Sequence, residues 1–123
     1  MLRGRLLTES LRLDAELAVP DLAITRLFRQ DVSASVVETQ PDVWTILDFE
    51  APDERADELA EALAGVLRAE DGWYVDFTVG DDHVIVFADR VFRYRIGDDD
   101  ARQQAIDHGR SVGTPEHQLD WGD

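Results

Sequence analysis

Residues 73–96 read WYVDFTVGDDHVIVFADRVFRYRI, three short apolar runs with polar turns between them, and the fold turns on how this stretch is read. Trp73, Val75, Phe77 and Val79 alternate with Tyr74, Asp76 and Thr78, the period of two that a strand shows when one face is buried. Gly80-Asp81-Asp82 supplies turn chemistry, because glycine accepts positive φ and aspartate hydrogen-bonds its own nearby backbone. Residues 84–87 are apolar on both sides, which suits a central strand. After a second turn at Ala88-Asp89-Arg90, Phe92, Tyr94 and Ile96 alternate with Val91, Arg93 and Arg95. The expectation is a three-stranded antiparallel meander, and its apolar face needs a cover.

The cover is predicted over about 53–69. Ala56, Leu59, Ala60, Leu63, Val66 and Leu67 fall at the i, i+3, i+4, i+7 spacing of one helix face, with Glu54, Asp57, Glu58 and Glu61 on the other. Acids at its start and Arg68 near its end complement the helix dipole. Each large side chain buried this way contributes roughly 1.5–3 kcal/mol.

Upstream, residues 32–38 and 43–50 read as a hairpin about Thr39-Gln40-Pro41-Asp42. In its second strand Val43, Thr45, Leu47 and Phe49 share one face, and Trp44, Ile46, Asp48 and Glu50 the other. Residues 11–19 alternate as a strand, with an amphipathic helix over 6–18 as the competing reading. Residues 21–30 are expected to be a short helix or irregular, since Ile24, Leu27 and Phe28 have helical spacing behind a possible Asp21 cap. Downstream, Asp98, Asp99 and Asp100 read as caps rather than a metal loop, opening a second, C-terminal helix at about 100–111. Gly113 suits its C-terminal cap, and Leu119 and Trp121 are expected to pack back on the body. The fold class is therefore α+β: a single domain over 1–123, a two-layer sandwich of a mostly antiparallel sheet of four to six strands. The main helix covers one face, and the second sits at the end or edge of the sheet.

Composition narrows the function classes. The 123 residues include no cysteine and no lysine, so disulfides, thiolate zinc sites, cysteine nucleophiles, Schiff bases and a P-loop lysine are excluded. The all-arginine basic set, with much Ala, Asp and Val, points to a high-GC bacterial genome. The 27 acidic and 12 basic residues give a formal charge of −15, a field that repels nucleic acid and anionic membranes and attracts a basic protein. No run approaches the ~20 apolar residues of a membrane span, and the first residues lack a signal-peptide core, so a cytoplasmic, soluble protein is expected.

One resemblance enters at the C-terminal end. Val91-Phe92-Arg93-Tyr94-Arg95, Gly109-Arg110, and then GTPEHQLDW over 113–121 resemble a group of small acidic bacterial proteins that carry no assigned activity. The likeness implies a small acidic protein and brings no catalytic role with it.

The candidate binding surface is the sheet face turned away from the main helix, where Asp48, Glu50, Tyr74, Asp76, Arg93 and Arg95 are expected to meet as an arginine–carboxylate platform. A solvated cross-strand charge ladder uses the same residues. Asp81, Asp82 and His83 invite a metal or acid/base reading with Asp76, but no second ligand cluster has recognisable spacing. No serine stands in a nucleophile-elbow context, and neither a cofactor nor a metal is expected. The leading function is a non-enzymatic binding module of the immunity, antitoxin or regulatory kind for a basic partner. The alternatives are a small-ligand or metal-dependent enzyme using Asp76, Asp81, Asp82 and His83, and a structural homodimer subunit joined through an exposed strand.

Overall fold

The structure is a computed structural model that describes residues 1–33, 41–119 and 121. Its elements are β1 (Leu2–Leu7), β2 (Ala23–Asp31), β3 (Val43–Ala51), α1 (Ala56–Val66), β4 (Tyr74–Val79), β5 (Asp82–Phe87), β6 (Arg90–Arg95) and α2 (Asp99–Val112). The six strands form one antiparallel sheet in the order β2-β3-β1-β4-β5-β6. The α+β class, the meander and the helix-covered sheet agree with the sequence reading. Among the described residues no helix is long and apolar enough to cross a membrane.

Both faces of the sheet carry apolar side chains. On the first, Leu2, Leu6, Phe49, Val75, Phe77 and Val84 pack beneath Leu59 and Leu63 of α1. On the second, Ile85, Phe87 and Tyr94 pack against Ala105 of α2 and against Leu119 and Trp121 of the chain that follows it. The second helix thus lies at the β6 end of the sheet, on the face opposite α1. It covers the meander, and among the described residues the β2-β3-β1 end of that face carries no helix.

Three local expectations are corrected. Residues 11–19 are neither strand nor helix. Leu11 bridges Leu67 and the Arg12 N–H donates to the Val66 carbonyl at 2.8 Å, so the segment runs as an irregular strap whose Leu17 and Val19 pack on the first core. Residues 23–31, expected as a short helix or irregular, form β2, with a register shift between Ile24 and Arg26. The hairpin arm that pairs with β3 is thus β2, ending at Asp31, rather than the expected 32–38; of that expected strand and its turn at 39–42, residues 34–40 lie outside the described residues. The main helix begins at Ala56 after a 3-10 turn at Asp53–Arg55. It ends at Val66 because Leu67 adopts extended geometry to bridge Leu11.

Gly4 sets the tightness of the sheet. It lies opposite Phe49 on one side and Phe77 on the other, and those rings meet edge-to-face at 6.3 Å across it. A Cβ there would fall 2.6 Å from Phe77 Cβ and 2.7 Å from the Asp76 carbonyl. Trp73 stands just before β4 rather than in it, and its ring meets Trp44 edge-on at 5.9 Å.

Candidate functional site: an open ion-pair array

The uncovered end of the second face is built by strand alternation. β1 is central, so Arg5 stands opposite Asp48 of β3 and opposite Asp76 of β4, while Arg3 stands opposite Glu50 and Thr78. Arg5 grips Asp48 with two bonds, Nε to Oδ1 at 2.7 Å and Nη2 to Oδ2 at 3.3 Å. Arg3 Nε lies 3.0 Å from Glu50 Oε1. Next to them on β2, the guanidinium groups of Arg26, at 4.1 Å, and Arg5, at 5.4 Å, both lie over the Phe28 ring. An open groove of about 470 Å³ runs along this surface, lined by Arg3, Arg5, Thr25, Asp48, Asp76 and Thr78 among others.

The charges support one another. The hydrogen bond from Arg5 holds the Asp48 carboxyl below the usual carboxylate range, with the charges of Arg5 and Arg26 adding to it. Arg5 is raised in turn by its bond to Asp48, and the charges of Asp48 and Asp76 add to that. Arg5 is half exposed and Asp48 is open on one side to solvent, so the pair is screened and its stabilisation is small.

Asp76 also starts a chain into the protein. Its Oδ2 lies 2.8 Å from His83 Nε2, and His83 Nδ1 lies 3.0 Å from the Tyr94 hydroxyl. The carboxylate assigns the proton to Nε2, so Nδ1 accepts from the phenol. The His83 side chain is 12% exposed and that of Asp76 39%, so only the carboxylate end of the chain opens on the groove. Tyr74, on the same face, donates its hydroxyl to the Gln118 carbonyl at 2.9 Å and is thereby tied to the C-terminal segment.

Of the expected surface, Asp48, Glu50, Tyr74 and Asp76 do share one face. Arg93 and Arg95 do not. Arg93 is in register with Val84 of the first core, and it pairs on the α1 side with Asp82 at 2.8 Å and Asp57 of α1 at 3.3 Å. Arg95, two residues on, takes the same side. The expected Asp76, Asp81, Asp82 and His83 set is divided likewise. Asp82 faces Arg93 while His83 faces Asp76, and no group of three metal-ligating side chains occurs among the described residues. Asp98 is the cap of α2, its Oδ1 accepting from the Ala101 N–H at 3.1 Å. Ser10 is buried and donates to the Leu7 carbonyl, and Ser111 donates to His108, so neither is placed as a nucleophile.

Arg3, Arg5, Arg26 and Phe28 are site residues that the sequence reading missed. Leu2, Gly4 and Leu6 alternating with Arg3 and Arg5 was the available signal for β1. Comparison with known proteins yields no similar protein family, curated protein or solved structure.

Proposed function

We propose that this is a non-enzymatic protein-binding module, of the bacterial immunity, antitoxin or regulatory kind, that acts in the cytoplasm on a basic partner through the open ion-pair array. The observation that carries this reading is the array itself: paired arginines and carboxylates on a half-sheet that no helix of the described residues covers, in a protein of charge −15. The net field speeds the approach of a cation-rich surface. Once it arrives, its arginines compete for Asp48, Glu50 and Asp76, which Arg5, Arg3 and His83 hold in place. The partner must then offer acceptors to Arg3 and Arg5, because a displaced guanidinium left unpaired in the interface would cost the desolvation of its charge.

The test is capture from source-organism lysate at low and at high salt, comparing the native chain with an Asp48→Asn/Asp76→Asn variant. One basic protein retained at low salt, weakened at high salt and lost by the variant is the expected result. Equal capture by the variant would remove the array from the interface. No specific partner at either salt would overturn the proposal.

A second reading rests on the Asp76–His83–Tyr94 chain. A carboxylate open to a groove and backed by an imidazole and a buried phenol is a proton-handling arrangement, which suits a small-ligand enzyme. Under that reading, His83→Gln abolishes turnover of a ligand identified by screening and leaves protein capture unchanged.

A further inference from the structure

On the α1 face, the β3 side of the sheet is covered by the strap of residues 11–22. The strap is held by the Arg12 N–H on the Val66 carbonyl at 2.8 Å, the Arg12 guanidinium on the Gly65 carbonyl, and an Asp21–Arg55 ion pair at 3.3 Å. Beneath it lies a slot of about 230 Å³ lined by nine side chains, every one apolar. Its floor is fully packed: Leu6 and Phe49 are 4% exposed, Leu59 and Leu63 0%. Its rim is not, since Leu17 and Leu22 are half-buried and Ile24 is exposed.

This lining dictates the occupant. With no polar side chain inside, no side chain hydrogen-bonds a guest, and the removal of apolar surface from water is the main force that favours it. An apolar cavity of about 150 Å³ stays dry and takes benzene, so in proportion this slot suits about nine heavy atoms. The rim adds a sign. Glu16 and Asp21 are exposed and adjoin the slot leucines Leu17 and Leu22 in the chain; Asp21 is taken by Arg55, while Glu16 has no ion pair among the described residues.

We infer that the slot binds a small apolar molecule bearing a protonated amine, its hydrocarbon part on Leu59 and Leu63 and its ammonium at the acidic strap. The site lies on the opposite face from the ion-pair array and does not depend on what that array binds.

The test titrates the full chain with n-octylamine and, separately, with octanoate, following leucine methyl resonances. Saturable octylamine binding that shifts Leu6, Leu59 and Leu63, at least ~10-fold tighter than octanoate, is expected, since one favourable ionic contact supplies about that factor. Glu16→Gln should bring the two ligands together, and Leu22→Trp, which fills the slot from its half-buried rim, should abolish both. Non-saturating association, or shifts mapping away from Leu59 and Leu63, would overturn the site, and this readout needs no variant to fold. Equal affinity for the two ligands would overturn the amine assignment.

Discussion

The Thr114 hydroxyl donates to the Gly72 carbonyl at 2.7 Å, a buried bond that joins the chain after α2 to the chain before β4. Gly72 stands at φ +68°, and a Cβ there would overlap the Thr114 backbone. The Thr114 N–H is already committed to the Gly109 carbonyl at 2.9 Å, so Thr114 has no freedom to retreat. Thr114→Val is expected to cost about 1–3 kcal/mol through the unsatisfied carbonyl, and Gly72→Ala about 3 kcal/mol or more through strain and overlap together. Urea unfolding of the two variants checks the order.

Gly4→Ala tests the close approach of Phe49 and Phe77. The added methyl meets a ring on one side and a strand carbonyl on the other, and neither is a flexible chain end. A loss of about 2–4 kcal/mol is expected, at or above the upper end for overpacking a core. A loss below about 1 kcal/mol, with the Phe49–Phe77 contact unchanged in a structure of the variant, would show that the sheet yields there.

The Arg5–Asp48 pair is bidentate, but Arg5 is half exposed. A double-mutant cycle with Arg5→Gln and Asp48→Asn is expected to give a coupling below about 1 kcal/mol in folding. A larger coupling would make the array a structural clamp rather than a surface held ready for a partner.

His108 sets an acid limit on stability. Burial holds its pKa below the ordinary value, and the charge of Arg90 adds to this. Its Nε2 is buried without a hydrogen-bond partner among the described residues, and its ring packs on Phe87 at 4.7 Å and Phe92 at 5.4 Å. The unfolded chain binds this proton at higher pH than the folded one does. Stability is therefore full above the unfolded imidazole value, near 6.5, and is lost as pH falls through it. Melting temperature should drop between about pH 7 and about pH 5, and His108→Gln should make that drop shallower.

β2 is an edge strand with all but one residue exposed, including Ile24 at 61% and Leu27 at 63%. Its register shift and its arginines at 26 and 29 are the features that keep such an edge from pairing with another copy. Arg26→Val/Arg29→Val should convert the chain to dimers or larger species in sedimentation velocity, while single substitutions elsewhere on the sheet should not.

The meander and α1 were legible because each is long enough to show its period and buries that period against one partner. β2 was not, for a reason located at Thr25. The register shift there puts Ile24 and Leu27, three residues apart, on the same face of the strand, which imitates helical spacing. Residues 11–19 erred in the opposite sense. They alternate, but Asp14 takes positive φ, and β1 and β3 already have both their edges paired. Arg93 and Arg95 were assigned to the wrong side because both sheet faces hold a core. Alternation shows that Phe92 and Tyr94 oppose Arg93, but not that their shared core is the one under α2.

The place of β1 has a consequence for how the chain reaches this fold. The first strand made is the one that joins β3 to β4, so its partners arrive some forty and seventy residues later. The meander needs only short loops and can form early. Closing β1 between the two halves carries the larger loop-closure entropy and is the step expected to set the folding rate. A permuted chain that opens at residues 34–40 and links the present ends would alter those separations, and should change the folding rate more than the final stability.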